Sequence, residues 1–151
     1  EQMNYGFSQC DILKISDNEI QFVTGKEDYD EGIRCLQEKY QIPLILLTMG
    51  KEGSRAYYKG MRVECSGFSE ILNVPARPAK VADTTGAGDT FTGSVLNYLL
   101  EHDFNNLTEK QLEELLKLAN AAAAIVTTRK GVIRAIPKKS EIEELIQRNM
   151  L

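Results

Sequence analysis

The chain has 151 residues, 42% of them hydrophobic, with 18 Lys and Arg against 22 Asp and Glu for a net charge of −4. That is enough apolar side chain for one domain with a real core, and the acidic balance gives no general electrostatic reason to bind nucleic acid or an anionic membrane. Cys10, Cys35 and Cys65 are odd in number and lack Cys-x-x-Cys spacing, so they read as reduced thiols of a cytoplasmic protein rather than a disulfide framework or a zinc site, and no apolar run approaches membrane-spanning length.

Taken in order, residues 11–15 read as a short buried strand. Ser16 and Glu19 then stand at capping-box spacing, so a helix starts there. A second helix is expected over 26–40, with Tyr29, Ile33, Leu36 and Tyr40 on one face. Pro43 precedes the run Leu44 to Leu47, which has the pattern of a strand covered on both faces. The glycine-bearing turn Thr48-Met49-Gly50-Lys51-Glu52-Gly53 leads into a hairpin, 55–59 and 61–65 around Gly60. Residues 67–80, with Pro75 and Pro78, are irregular.

The stretch 83–93, Asp-Thr-Thr-Gly-Ala-Gly-Asp-Thr-Phe-Thr-Gly, comes next. Gly86 and Gly88 bracket Ala87, Asp89 follows, and Phe91, Val95 and Leu99 then recur with helical period. A glycine turn opening a helix gathers unpaired amides and the positive end of the helix dipole at one point, which suits an anion. Asp89 would repel a bound phosphate, unless it takes a proton from an attacking hydroxyl while the amides hold the charge on a transferred phosphoryl group. The alternative is a turn whose acidic first-turn residue stabilises the helix. Neither a P-loop nor a dinucleotide fingerprint is present: no Gly-Lys pair follows at the required spacing, and Phe91 stands where the third glycine would be.

His102, the only histidine, falls near that helix's C-terminal end, where a positive ring suits the dipole. Thr108 and Gln111 form another capping box, opening a helix with Leu112, Leu115, Leu116, Ala119, Ala122, Ala123 and Val126 on its apolar face. Its Ala121–Ala124 run suits close packing beside the helix that carries Asp89. Asn120 leaves the apolar face. Arg129, Lys130, Arg134, Lys138 and Lys139 form a basic run that is either a solvated edge or a nucleotide-facing one. Ser140 and Glu143 cap a last helix with Ile142, Leu145 and Ile146 inward. Strands followed by amphipathic helices give an α/β layer fold, a mostly parallel sheet with helices on both faces and a local antiparallel hairpin.

Four stretches in order, Lys14–Glu19, Leu47–Tyr58, Asp83–Phe91 and Ala119–Gly131, resemble the ribokinase-like (PfkB) carbohydrate kinases, the fructokinase branch in particular. The resemblance runs from about Asp11 to Pro137. It implies transfer of the ATP γ-phosphoryl group to a primary hydroxyl of a sugar, fructose first, with ribose, 2-keto-3-deoxygluconate or a nucleoside as alternatives. Asp89 would be the base, and the amides of Gly86, Ala87, Gly88 and Asp89 the anion hole. Lys14, Ser16, Thr48, Gly50, Gly53 and Asn120 would bind ATP, with Asn120 bordering the adenine. Glu19 would position Mg²⁺ through water, although the family usually has Asn where Ser16 stands. A monovalent cation such as K⁺ would be held by Asp83, Thr85, Val126, Arg129, Gly131 and Ala135, mostly through carbonyls. Family members are about twice this length, so residues 1–151 read as a C-terminal, nucleotide-binding and catalytic half without sugar-binding and lid elements. A scaffold that binds nucleotide without turnover stays open, as does a homodimer of the full-length protein.

Overall fold

A computed structural model describes residues 2–68 and 83–148. Four strands form one sheet in the order β1 (Ile12–Ser16), β2 (Leu44–Thr48), β3 (Gly53–Tyr58) and β4 (Met61–Ser66). The strands β1 and β2 run parallel because α2 (Asp17–Thr24) and α3 (Tyr29–Tyr40) supply the crossover between them, a connection that a parallel pair needs. A single 3₁₀ turn joins β2 to β3, and Lys59-Gly60, both at positive φ, joins β3 to β4. Links that short can only reverse the chain, and both pairings are antiparallel. The α/β class therefore holds, but the expected mostly parallel sheet is, among the described residues, one parallel pairing and two antiparallel ones.

Side chains alternate across this sheet. Ile15, Ile45, Leu47 and Tyr57 face Ile20 of α2 and Ile33 and Leu36 of α3. Leu44, Leu46, Ala56, Tyr58 and Val63 face α4 (Ala87–Leu100) and α5 (Glu109–Thr127), which supply Phe91, Val95 and Leu99 and Leu112, Leu115 and Leu116. Helices thus cover both faces, and the run 44–47 is fully buried, as its continuous apolar character implies. Cutting Leu46 back to Ala would cost about 2–5 kcal/mol.

Several boundaries differ from expectation. An additional helix, α1 (Gln2–Ser8), buries none of its residues and so carries no periodic signature. Gly25, at φ 66°, ends α2 with a left-handed cap, and Asp28 caps α3 by accepting from the Glu31 amide, so the second helix begins at Tyr29 rather than 26. Ser140 lies inside α6 (Lys139–Arg148), because the Glu141 carboxylate reaches back to the Lys138 amide at 2.8 Å and caps the helix there. Ala121 and Ala122 pack with Phe68 and Ile142 of α6, while Ala123 of the same run packs on the cluster that holds Phe91 and Val95 of α4, as expected. His102 stacks on Tyr98 with its Nδ1 2.7 Å from the Tyr98 carbonyl, a structural role. All three cysteines are free. Residues 69–80 of the expected irregular stretch lie outside the described residues.

Candidate functional site

The parallel pair β1–β2 ends with Ser16 beside Thr48 as register partners, and the carboxyl ends of parallel strands are where ligands gather in open α/β sheets. Ser16 closes the expected capping box: its hydroxyl accepts from the Glu19 amide at 3.3 Å and its own amide donates to Glu19 Oε2 at 2.7 Å. At the carboxyl itself the Ser16 amide first, then the Ser16 hydroxyl, with the Lys14 ammonium assisting, hold Glu19 below its usual range. The carboxylate is still 58% exposed. Strand alternation puts Lys14 on the α4 side of the sheet, where Nζ lies 3.5 Å from Glu19 Oε2. A Cβ built on Gly88 would stand 3.6 Å from the same nitrogen, so β1, α2 and the start of α4 meet at one cation.

The helix α4 opens on Gly86 at φ 83°, with no side-chain cap. Glycine is required there twice over: an L side chain is strained at that angle, and a Cβ would come within 2.7 Å of Val132 Cγ1. The Ala87 amide donates to the Thr84 carbonyl at 3.3 Å, closing the turn. Of the four amides expected to form the anion hole, Ala87's is thereby engaged; those of Gly86, Gly88 and Asp89 have no backbone acceptor among the described residues. Free amides at a helix start attract an anion. The side chain of Asp89 is exposed and makes no ion pair among the described residues. It edges a cleft of about 340 Å³ that continues along α4 past Gly93 and Asn97 to Val132 and Lys139. Around the first turn of α4 the arrangement offers an anion seat, an ammonium beside Gly88 and, among the described residues, a carboxylate without an ion pair, groups that phosphoryl transfer to a hydroxyl can use.

The β2–β3 turn is built by close backbone crossing. Gly50 is exposed at φ 54°, whereas Gly53 is buried at φ 108° and a Cβ there would meet the Cys65 carbonyl at 2.1 Å. That crossing alone accounts for a glycine at 53. Asn120 is neither exposed nor free: it is 8% exposed, its Oδ1 accepts from the buried Ser54 hydroxyl at 2.9 Å, and its Nδ2 donates to the Cys65 carbonyl at 3.2 Å. It ties α5 to the hairpin, a partnership between side chains 66 residues apart that no local pattern announces.

The Asp83 amide donates to the Thr127 carbonyl at 3.2 Å, which lays Asp83 and Thr85 against the C-terminal end of α5. The Thr85 hydroxyl, and then its amide at 2.9 Å, hold the Asp83 carboxyl below its usual range. Of the other residues expected around a monovalent cation, Val126 gives its carbonyl to the Arg129 amide, Gly131 is exposed at φ 93°, and the Ala135 carbonyl accepts from the Arg129 guanidinium at 3.3 Å. The same guanidinium pairs with Glu141. Most of the basic run is a solvated edge: Lys130, Arg134, Lys138 and Lys139 are exposed. Among the described residues no cluster of three or more His, Cys, Asp or Glu forms a ready-made metal cage, and no helix is long and apolar enough to cross a membrane.

Known proteins carry the same chain plan. Probable fructokinase-4 of Arabidopsis thaliana is 36% identical over 143 residues, 95% of this chain but 41% of that protein. A double mutant of the fructokinase of Vibrio cholerae O395, solved with fructose, ADP and a potassium ion, superposes with a TM-score of 0.78 at 29% identity over 94% of this chain and 42% of that one. The fold also matches a fructokinase of Xylella fastidiosa with bound ATP, TM-score 0.82 at 24% identity, covering 99% of this chain and 46% of that one. The chain thus spans about two fifths of the length of most of the curated relatives it matches. Residues 1–139 match the pfkB family of carbohydrate kinases, and this chain belongs to that family.

Proposed function

We propose that the chain is the nucleotide-binding and catalytic part of an ATP-dependent sugar kinase, with fructose as acceptor and fructose 6-phosphate as product. One observation carries the reading: among the described residues the amides of Gly86, Gly88 and Asp89 at the start of α4 have no backbone acceptor, and the exposed Asp89 carboxylate beside them makes no ion pair. In the reaction the sugar hydroxyl gives its proton to Asp89 as its oxygen bonds to the γ-phosphorus. The bond from that phosphorus to the bridging oxygen breaks, and ADP leaves with the electron pair. The amides of Gly86, Gly88 and Asp89 and the Lys14 ammonium hold the charge spread over the migrating group. On this reading Thr48, at the end of β2, and Gly50 and Gly53, which open and close the turn after it, would contact the phosphates and ribose, and Asn120 would border the adenine.

Glu19 fits the role of holding Mg²⁺ through water, because its carboxylate is charged and more than half exposed while the capping box fixes its orientation. When bound, the ion neutralises charge on the β- and γ-phosphates. Asp83 and Thr85 would contribute to a weak monovalent site, a reading the potassium in the Vibrio cholerae enzyme supports, while the Val126 and Ala135 carbonyls already accept from Arg129. Three free thiols fit a reducing compartment, the cytoplasm. The sugar site belongs to residues beyond this stretch, so the chain by itself binds nucleotide without turning over; its span of 41% of a fructokinase favours this.

The test is Asp89→Asn in the full-length enzyme. Turnover falls ~10²–10⁴-fold with loss of the general base, and ATP affinity changes little. Near-wild-type turnover would remove Asp89 from the chemistry. Calorimetric titration of the 151-residue chain with MgATP separates a nucleotide-binding half, which gives a heat of binding, from a module that has lost its ligand, which gives none.

A further inference from the structure

We propose that Arg129 and Glu141 are positioning residues, a strut through which α6 fixes the loop that covers the anion seat. The inference rests on the nucleotide reading above only for its binding readout. From the end of α5, the Arg129 guanidinium spans the inside of the following loop: one nitrogen donates to the Ala135 carbonyl at 3.3 Å and another to Glu141 Oε1. The second Glu141 oxygen accepts from the Lys138 amide, so the same carboxylate caps α6 and anchors the far end of the loop.

Between these anchors the backbone makes one turn, Ala135 to the Val132 carbonyl at 3.1 Å, and buries Ala135 and Pro137. Val132 is thereby pressed over Gly86, its Cγ1 filling the space where a Cβ would be. Gly86 in turn accepts from the Thr90 amide at 2.9 Å and sets the first turn of α4. The line α6–Glu141–Arg129–loop–Val132–Gly86 therefore ends on the residue that aims the free amides. A planar guanidinium can serve two acceptors at once, which a lysine ammonium on a flexible stem does less rigidly.

The pair is about one third exposed, so its worth lies in orientation more than in attraction. The experiment compares Arg129→Met, which keeps the stem and drops both contacts, with Arg129→Lys and with Lys130→Met. The last removes one positive charge from the same loop at an exposed side chain. Amide resonances of Gly86, Gly88 and Asp89 are followed without ligand, MgATP affinity by calorimetry, and global stability by urea. Arg129→Met is expected to move the three amide signals and to weaken MgATP by up to ~5-fold. Arg129→Lys restores both in part, and Lys130→Met moves neither.

A folded Arg129→Met protein with the three signals in their wild-type positions overturns the strut, as does an equal movement in Lys130→Met. Should Arg129→Met fail to fold, Glu141→Gln, which keeps the helix cap and drops the charge, is read by the same criteria. If the wild-type chain binds no MgATP, the nucleotide reading falls while the ligand-free amide signals still decide the strut.

Discussion

The ammonium of Lys14 stands beside Gly88: a methyl group placed on that glycine would lie 3.6 Å from Nζ, an ordinary contact. Gly88 is in the first turn of α4, where Ala is the better helix former by roughly 0.5–1 kcal/mol. Gly88→Ala should therefore leave stability equal or higher, while the added methyl crowds the space between the free amides and the ammonium and weakens MgATP binding. Lys14→Met should weaken MgATP by on the order of tenfold, the value of about one charge-assisted hydrogen bond. Urea denaturation and calorimetry on both variants check this. A Gly88→Ala protein that binds MgATP as tightly as wild type would place the phosphates elsewhere.

Gly86 and Val132 make a contrasting pair. Here the methyl would meet Val132 Cγ1 at 2.7 Å, on a backbone at φ 83°. Gly86→Ala should destabilise by about 1–2 kcal/mol for the left-handed angle, plus a steric share. Val132→Ala added to it should recover the steric share and leave the backbone share, a coupling that a double-mutant cycle in urea reads directly. Strict additivity of the two changes would mean that the valine does not rest on the glycine.

How much of this was legible in the sequence follows from the range of the forces involved. The capping boxes Ser16–Glu19 and Thr108–Gln111 close reciprocally as their spacing implies, and the glycine corner opens α4, because each is settled within one helical turn. The buried run 44–47 and the two helical layers follow from apolar periodicity. The proximity of Lys14 to Gly88 is half legible: alternation along β1 puts Lys14 and Ser16 on one face, but only the packed fold brings α4 there. The Arg129–Glu141 pair and the Ser54–Asn120 pair carry no local signature. Among the described residues parallel pairing is confined to β1 and β2, because the links on either side of β3 are too short for a crossover whatever the apolar pattern of the strands.

Alkaline pH offers an independent check on the α4–α5 packing. Burial, reinforced by a hydrogen bond to Glu114 at 3.1 Å, pushes the Tyr98 hydroxyl up to about 12 from its usual 10. A raised folded pKa means that the unfolded chain gives up this proton first. The associated stability is fully present below pH 10 and is lost between pH 10 and 12, by about 2–3 kcal/mol at most. Tyr98→Phe should lose that part of the decline, and one late tyrosinate transition should disappear from the absorbance titration. An unchanged titration in the variant would show that Tyr98 ionises like an exposed tyrosine.

Asn120 separates a structural role from an adenine-facing one. Ser54, fully buried, has the Asn120 side chain as its hydrogen-bond partner, and the Cys65 carbonyl receives from the same amide. Asn120→Ala strands the Ser54 hydroxyl and should cost about 1–3 kcal/mol. Adding Ser54→Ala removes the stranded group, so the double variant should be less destabilised than the sum of the two single ones by about 0.5–3 kcal/mol. That coupling measures the clamp between α5 and the hairpin. Nucleotide recognition is read separately, by comparing ATP with GTP in calorimetry under conditions where each variant is fully folded. If Asn120 also borders the base, Asn120→Ala narrows the preference for ATP while Ser54→Ala does not. If the two variants shift the preference equally, the effect comes from a loosened hairpin, and Asn120 serves the site only by holding that hairpin in place.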